Sequence, residues 1–182
     1  MTIYHQMLST VTTDGLEMKL VEREIPTPKD NEIVVKVEAT PINPSDHGVM
    51  FGWADLSQAT SEGEGADRVL RAPLAPGGLA RMKARLGQDL PVGNEGCGVV
   101  VAAGSDDYAQ SLMGKRVAVM GGGMYAGYRA LPAMTAMPLP ETATAKDGAS
   151  CFVNPLTALS FIETMKLEGH TAIVHTLSLI HI

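Results

Sequence analysis

Cysteine is nearly absent: the chain has two, Cys97 and Cys151, and neither has a CxxC partner. That excludes a disulfide framework and points to a reducing, cytoplasmic setting. An excess of basic charge is also missing. Fourteen basic side chains against twenty acidic ones leave a net charge of −6, which argues against nucleic acid or an anionic membrane as the main partner. No apolar run reaches the length of a bilayer span, and the opening MTIYHQMLST lacks the basic-then-apolar layout of a secretory signal. Disorder is excluded in turn, since 45% of the residues are hydrophobic and only 19% charged. A chain of 182 residues buries a core without metal or disulfide staples.

What is present reads as β over the first two-thirds. Residues 7–11 and 16–20 flank TTDG, whose Asp14-Gly15 pair suits the left-handed dihedrals of a tight hairpin turn. Leu16, Met18 and Leu20 alternate with Glu17 and Lys19, so that strand has one dry and one wet face. At Val21 the pattern slips by one residue, which predicts a bulge. Beyond Pro26 and Pro28, Ile33, Val35, Val37 and Ala39 alternate again. Further strands are expected around 99–102, 117–120 and 128–131. Residues 54–90 form a long polar excursion, a loop or an insertion. Within it Leu79, Met82 and Leu86 fit a short amphipathic helix with Arg81, Lys83 and Arg85 on its wet side.

The period changes after residues 131–141. Residues 142–153 look helical, and Asn154-Pro155 reads as a helix cap followed by the first helical residue. Leu156, Leu159, Ile162 and Met165 then recur along one face until Gly169 ends the helix. Residues 171–176 read as a short apolar strand. Two units are therefore expected, 1–131 and 132–182.

Three features are candidates for chemistry. Gly121, Gly123 and Ala126 match the dinucleotide fingerprint after a strand, with Glu141 downstream. That fingerprint needs a helix whose first amides face a pyrophosphate, and Pro132, Pro138 and Pro140 interrupt any such helix. A glycine-rich β-hairpin is the better account. The histidines, His5, His47, His170, His175 and His181, lack the local spacing of metal ligands. His47 follows Asp46, the one carboxylate–imidazole pair of neighbours. Finally, Asn43-Pro44-Ser45-Asp46 reads as a turn after a strand, and residues 91–106 read as a tight turn into another strand.

Taken in order, INPSDHGVMFG, PVGNEGCGVVVAAGSD, GKRVAVMGGGMYAGYRALPAMTAMPLPE and CFVNPLTALSFIETMKLEGHTAIVHT resemble the medium-chain dehydrogenase/reductase superfamily. More narrowly they resemble its zinc-free quinone oxidoreductase and enoyl reductase branch. The resemblance covers most of the chain outside residues 54–90 and the last six. It implies a mainly β fold, a GroES-like, partly open β-barrel over residues 1–131 that holds the substrate. Connecting helices and the first strand of a Rossmann domain would follow in 132–182. It also implies NADPH as hydride donor, a quinone or conjugated carbonyl or alkene as small-molecule electron acceptor, and a homodimer in the full-length parent.

The resemblance assigns residues as well. Asn43 and Asp46 would border the nicotinamide ribose, and Asn154 and Thr157 would lie near the nicotinamide amide. His47, Asn94, Glu95 and Tyr125 would line the substrate cleft. On their own, Asn154 reads as a helix cap and Thr157 as a hydroxyl bonded to its own helix. Zinc-dependent relatives place ligands where this chain has Asn43, Asn94-Glu95 and Val153, so no metal is implied. Gly52-Trp53-Ala54 stands where mitochondrial-type enoyl reductases carry a tyrosine acid, which counts against that activity.

The resemblance breaks at the end. Only LSLIHI follows residues 171–176, where the family continues with small residues that cradle a pyrophosphate. One βαβ unit needs about thirty residues, so 177–182 read as a non-native tail. The expectation is a substrate-domain fragment of an NADPH-dependent oxidoreductase, inactive alone and binding NADPH weakly or not at all. A self-standing GroES-like binding or chaperonin-type module, with 54–90 as its partner loop, is the alternative. A third reading is an enzyme completed by another chain that carries the nucleotide fold.

Overall fold

A computed structural model describes residues 3–174 of the chain. Two five-stranded antiparallel sheets form its body. The first is built from β1 (Ile3–Val11), β2 (Leu16–Glu24), β4 (Thr60–Glu62), β5 (Val69–Ala72) and β6 (Asp89–Pro91), in the order β4-β5-β2-β1-β6. The second takes β3 (Glu32–Ala39), β7 (Glu95–Ala103), β8 (Arg116–Met120), β9 (Tyr128–Pro132) and β10 (Ala136–Pro138), in the order β10-β8-β7-β3-β9. Short helices α1 (Asp46–Met50), α2 (Gly78–Arg81) and α3 (Asp107–Ser111) lie in the connections, and α4 (Ala145–Ala149) and α5 (Val153–Leu167) follow the strands. The sheets do not close on each other, so the expected mainly β, partly open barrel is found. No described helix is long and apolar enough to cross a membrane.

Each sheet has its own apolar core. Ile33, Val35, Val100, Leu112, Val117 and Val119 pack together in the second sheet, with Met124 and Leu131. Val11, Leu16, Met18, Met50, Met82 and Val92 pack in the first. Alternation in β2 reads correctly because one face of the strand meets such a core. In β3, by contrast, Ile33, Val34 and Val35 are all buried, and the register against β7 shifts between Val34 and Val35 and between Val37 and Ala39.

Residues 121–127 stitch the sheets together. Met7 N–H donates to Tyr125 O at 2.8 Å and Gly127 N–H to His5 O at 3.0 Å, while Val37 N–H reaches Gly127 O at 3.0 Å. This corrects the glycine-rich hairpin: β8 and β9 are not neighbours, because β7 and β3 lie between them. The segment crosses over, without a helix, and Gly122 and Gly123 take φ values of +76° and +69° that a side chain would disfavour.

Other expectations change as well. The β1–β2 register runs unbroken from Ile3↔Glu24 to Val11↔Leu16, so there is no bulge at Val21. The pattern shifts there because the end of β2 leaves the core, Glu22 to Glu24 being exposed. The hairpin turn does form, closed by Thr12 N–H on Gly15 O at 2.8 Å, but Asp14 is not left-handed. Residues 54–90 are not one long loop, since they supply β4, β5 and β6 to the first sheet. Of the three residues meant to bury the helix there, only Met82 is buried, while Leu79 and Leu86 are exposed. Nor is its wet side all solvated. Arg81 stacks 4.2 Å over the Trp53 ring, and Arg85 reaches back to α1.

Helix 142–153 shortens to α4, started by Thr144 and Asp147, whose side chains each accept from the other's backbone N–H. Then α5 starts at Val153, so Asn154 stands inside its first turn and not at the cap. Gly169, at φ +67°, ends α5 as expected: Gly169 N–H bonds Lys166 O and His170 N–H bonds Met165 O. Residues 171–174 are not in a strand. The rest of the expected strand, His175, His181 and the tail 177–182 lie outside the described residues.

Candidate functional site

The turn after β3 folds around two buried polar side chains. Asn43 and Asp46 are 2% and 1% exposed, whereas Pro44 and Ser45 between them face solvent. Asp46 Oδ2 accepts from Asn43 N–H at 2.7 Å, a loop-closing bond that makes the segment a turn. Its Oδ1 accepts from Asn94 N–H at 2.9 Å, which ties that turn to the one before β7. Asn94 Nδ2 adds a bond to Ser45 Oγ at 3.0 Å.

Tyr125 enters from the crossing segment. Its hydroxyl lies 3.0 Å from Pro41 O and 3.1 Å from Asp46 Oδ2. Burial, and then the Asp46 carboxylate, push the phenol well above its ordinary range. The one phenol hydrogen is thus shared between the Pro41 carbonyl and the Asp46 carboxylate, as a hydrogen-bond donor. The same segment touches Asn94 again, since Gly121 N–H donates to Asn94 O at 3.2 Å.

Glu95, at the first position of β7, is 1% exposed. Oε1 accepts from Asn43 Nδ2 at 2.9 Å, and Oε2 accepts from the N–H groups of Phe152 and Val153 at 2.7 and 3.1 Å. That carboxylate caps α5, for which Phe152 provides no side-chain cap. Asn154 follows in the first turn, half-buried, with no hydrogen bond to its side chain among the described residues. Thr157 Oγ1 donates to Val153 O at 2.7 Å, the intrahelical bond expected of it.

Five of the eight candidates thus share one hydrogen-bonded cluster: Asn43, Asp46, Asn94, Glu95 and Tyr125. Asn154 sits at its edge beside Val153, and Thr157 is one turn further along α5. His47 stands apart, exposed, with its ring 5.7 Å from the Phe51 ring. Ser45 belongs to the cluster, although the sequence reading assigns it no role. Its place in a four-residue turn is the signal that points to it. Beside Tyr125 a recess of about 210 Å³ opens between residues 37–40 and 124–126. That is below the size of an ordinary ligand pocket, roughly 300 Å³ upward.

Comparison with known proteins agrees with the fold. The family model described as the alcohol dehydrogenase GroES-like domain matches residues 29–141. A candidate NADPH:quinone reductase from Mesorhizobium loti is 29% identical, with a TM-score of 0.62 over 93% of this chain and 46% of that one. Another from Bacillus thuringiensis is 22% identical, with a TM-score of 0.62 over 92% of this chain and 42% of its own. The quinone oxidoreductase of Thermus thermophilus, solved alone and with NADPH, is 23% identical, with a TM-score of 0.58 over 89% of this chain and 41% of that one. The latter two show the fold. This chain spans less than half the length of each of the three. No curated protein sequence matches it.

Proposed function

We propose that this chain, which belongs to the alcohol dehydrogenase GroES-like domain family, is the acceptor-binding part of a zinc-independent, NADPH-dependent oxidoreductase that reduces quinones or conjugated carbonyls and alkenes. The observation that carries the reading is the Asn43–Asp46–Asn94–Glu95–Tyr125 cluster, joined through Glu95 to the first turn of α5. It holds two of the four positions assigned to the nicotinamide end, Asn43 and Asp46, and its Glu95 reaches the turn of α5 that carries a third, Asn154. The quinone part of that substrate class is supported by the description of the M. loti relative as an NADPH:quinone reductase.

The donor set does not fit zinc. Asn43 turns its amide NH2 to Glu95, Val153 has no donor atom in its side chain, and both Glu95 oxygens already accept hydrogen bonds. Among the described residues no three His, Cys, Asp or Glu side chains approach as metal ligands would.

For a nicotinamide, the half-buried Asn154 side chain is, among the described residues, the unbonded polar group at the edge of the cluster. When bound, NADPH supplies the hydride, and the protein supplies orientation and polarity. The Asn154 amide and Thr157 hydroxyl offer a donor and acceptors to a carboxamide. Asp46 fixes the turn that carries Asn43 through three accepted bonds. The 54–90 segment takes part as strands of the first sheet, so a module using it as a loose partner loop finds no support.

Contacts at the nicotinamide end alone are a few hydrogen bonds of about 1 kcal/mol each. Immobilising a ligand costs roughly 4–15 kcal/mol, so this chain is expected to bind NADPH at about millimolar or weaker. A titration followed by NMR tests it, with shifts expected at Asn43, Asn154 and Thr157. Micromolar affinity, or shifts confined to residues 121–123, would overturn the reading.

A further inference from the structure

The resemblance puts Glu95 in a substrate cleft, yet its carboxylate is closed off and accepts three hydrogen bonds from two distant parts of the chain. Asn43 lies 52 residues before it, and Phe152 and Val153 lie 57 and 58 residues after it. Beyond this end, α5 offers little to hold it, because none of its fifteen residues is buried. The Glu95 carboxylate is therefore the polar joint between the barrel and α5. Negative charge at a helix N-terminus is favourable, and an ionised acceptor makes stronger bonds than a neutral one.

We propose that Glu95 is a positioning residue, one buried carboxylate that fixes Asn43 on one side and the first turns of α5, with Asn154 and Thr157, on the other. This rests on the reading of those residues given under Proposed function. The two groups lie on separate elements, and without the joint each would move with its own. The turn is braced from the barrel side through Asp46, which accepts from Asn43 N–H, Asn94 N–H and Tyr125 OH. What Glu95 adds is the link to α5.

The chemistry of the joint dictates the variants. All three groups around Glu95 are donors, so only a carboxylate accepts from both directions. In Glu95→Gln the single acceptor oxygen keeps the α5 amides, and its NH2 can be met by the Asn43 Oδ1 once that amide rotates, so this variant alone is expected to be mild. Asn43→Asp alone sets two carboxylates against each other. Combined, Asn43→Asp with Glu95→Gln restores donor to acceptor, with the oxygen of residue 95 still on the helix.

The test uses NMR on the 182-residue chain, by amide exchange and by NADPH titration. Glu95→Ala is expected to speed exchange at Phe152 and Val153 tenfold or more and leave the β1–β2 amides unchanged. NADPH-induced shifts at Asn43 and Asn154 should be lost together. The Asn43→Asp/Glu95→Gln swap should recover slow exchange at Phe152 and Val153 and the NADPH shift at Asn154 relative to Asn43→Asp, and it decides the matter if Glu95→Ala does not fold. Unchanged exchange at Phe152 and Val153, shifts that persist in Glu95→Ala, or a swap that recovers nothing would each overturn the proposal. If the unaltered chain shows no shifts at Asn43 and Asn154, the functional reading fails, while the exchange rates still show whether the joint exists.

Discussion

Removing the Tyr125 hydroxyl takes a buried donor from Asp46, which then keeps only the amides of Asn43 and Asn94. Tyr125→Phe is expected to lower stability by about 1–3 kcal/mol, the range for leaving a buried charged acceptor short of a partner. Urea unfolding measures it, and an unchanged midpoint would show that the two amides suffice. The cysteines make a second residue-scale test. Cys97 is fully buried and desolvation pushes its thiol up to about 11, whereas Cys151 is half-buried and raised by burial and by the nearby Glu95 and Asp147 carboxylates. Iodoacetamide at about pH 8 should label Cys151 slowly and Cys97 only after unfolding, as peptide mass mapping would show. Equal labelling would mean that the β7–α4 contact opens readily. At this scale the site is unevenly legible in the sequence. Asn43 and Asp46 read alone as a turn, and the turn is there; the cleft role of Glu95 comes from resemblance. That Glu95 caps α5 is not legible, because the bond joins residues 57 and 58 positions apart and a cap is ordinarily sought next to its helix.

Elements are legible where a strand has one buried face and illegible where it has none. β2 announces itself by alternation, but β4 is exposed along its whole length and carries no pattern to read. The crossing of residues 121–127 is hidden for another reason: glycines permit a turn without saying which strands flank it in the sheet. Arg85 illustrates an element held by a residue that looks solvated in the sequence. Its guanidinium donates to Gly48 O at 3.1 Å and Val49 O at 2.7 Å, at the end of α1, and to Ser9 Oγ at 3.2 Å. Arg85→Ala is expected to cost about 1–3 kcal/mol and to loosen α1, and Arg85→Lys should recover only part because a lysine lacks the fork. Thermal unfolding of the two variants checks the order. Gly98 tests the second sheet in the same way. β3 shifts register between Val37 and Ala39, and a Cβ on Gly98 would overlap the Lys36 carbonyl. Gly98→Ala should therefore destabilise by about 1–3 kcal/mol, the usual cost of overpacking, and no loss would show that β3 can yield there.

Across the whole molecule, several groups hold their protons more tightly in the folded chain than they would in the unfolded one. They are spread over the fold: Cys97 packs beneath α4, Tyr125 lies at the crossing, and Tyr4 sits in β1 with its phenol raised by burial against the opposing pull of Arg129 and Arg23. A group with a raised folded pKa, neutral when protonated, stays protonated in the native state while the unfolded chain releases its proton. Stability must then fall as pH rises. The decline should begin near the ordinary thiol value of about 8.5 and steepen near about 10, where free tyrosines ionise. The contribution of Cys97 is complete by about 11, its folded value. Urea midpoints are thus expected to be level from about pH 7 to 8 and to drop continuously above. Cys97→Ala separates the causes. It lowers stability at neutral pH by opening a small void under α4, but it removes one thiol proton from the balance. Cys151, also raised, still contributes from the thiol range, so only the double variant Cys97→Ala/Cys151→Ala should stay level to about pH 9.5 before the tyrosines take effect. If the double-variant profile instead bends at the same pH as the parent chain, neither thiol is the source, whereas a bend kept by Cys97→Ala and lost in the double variant belongs to Cys151.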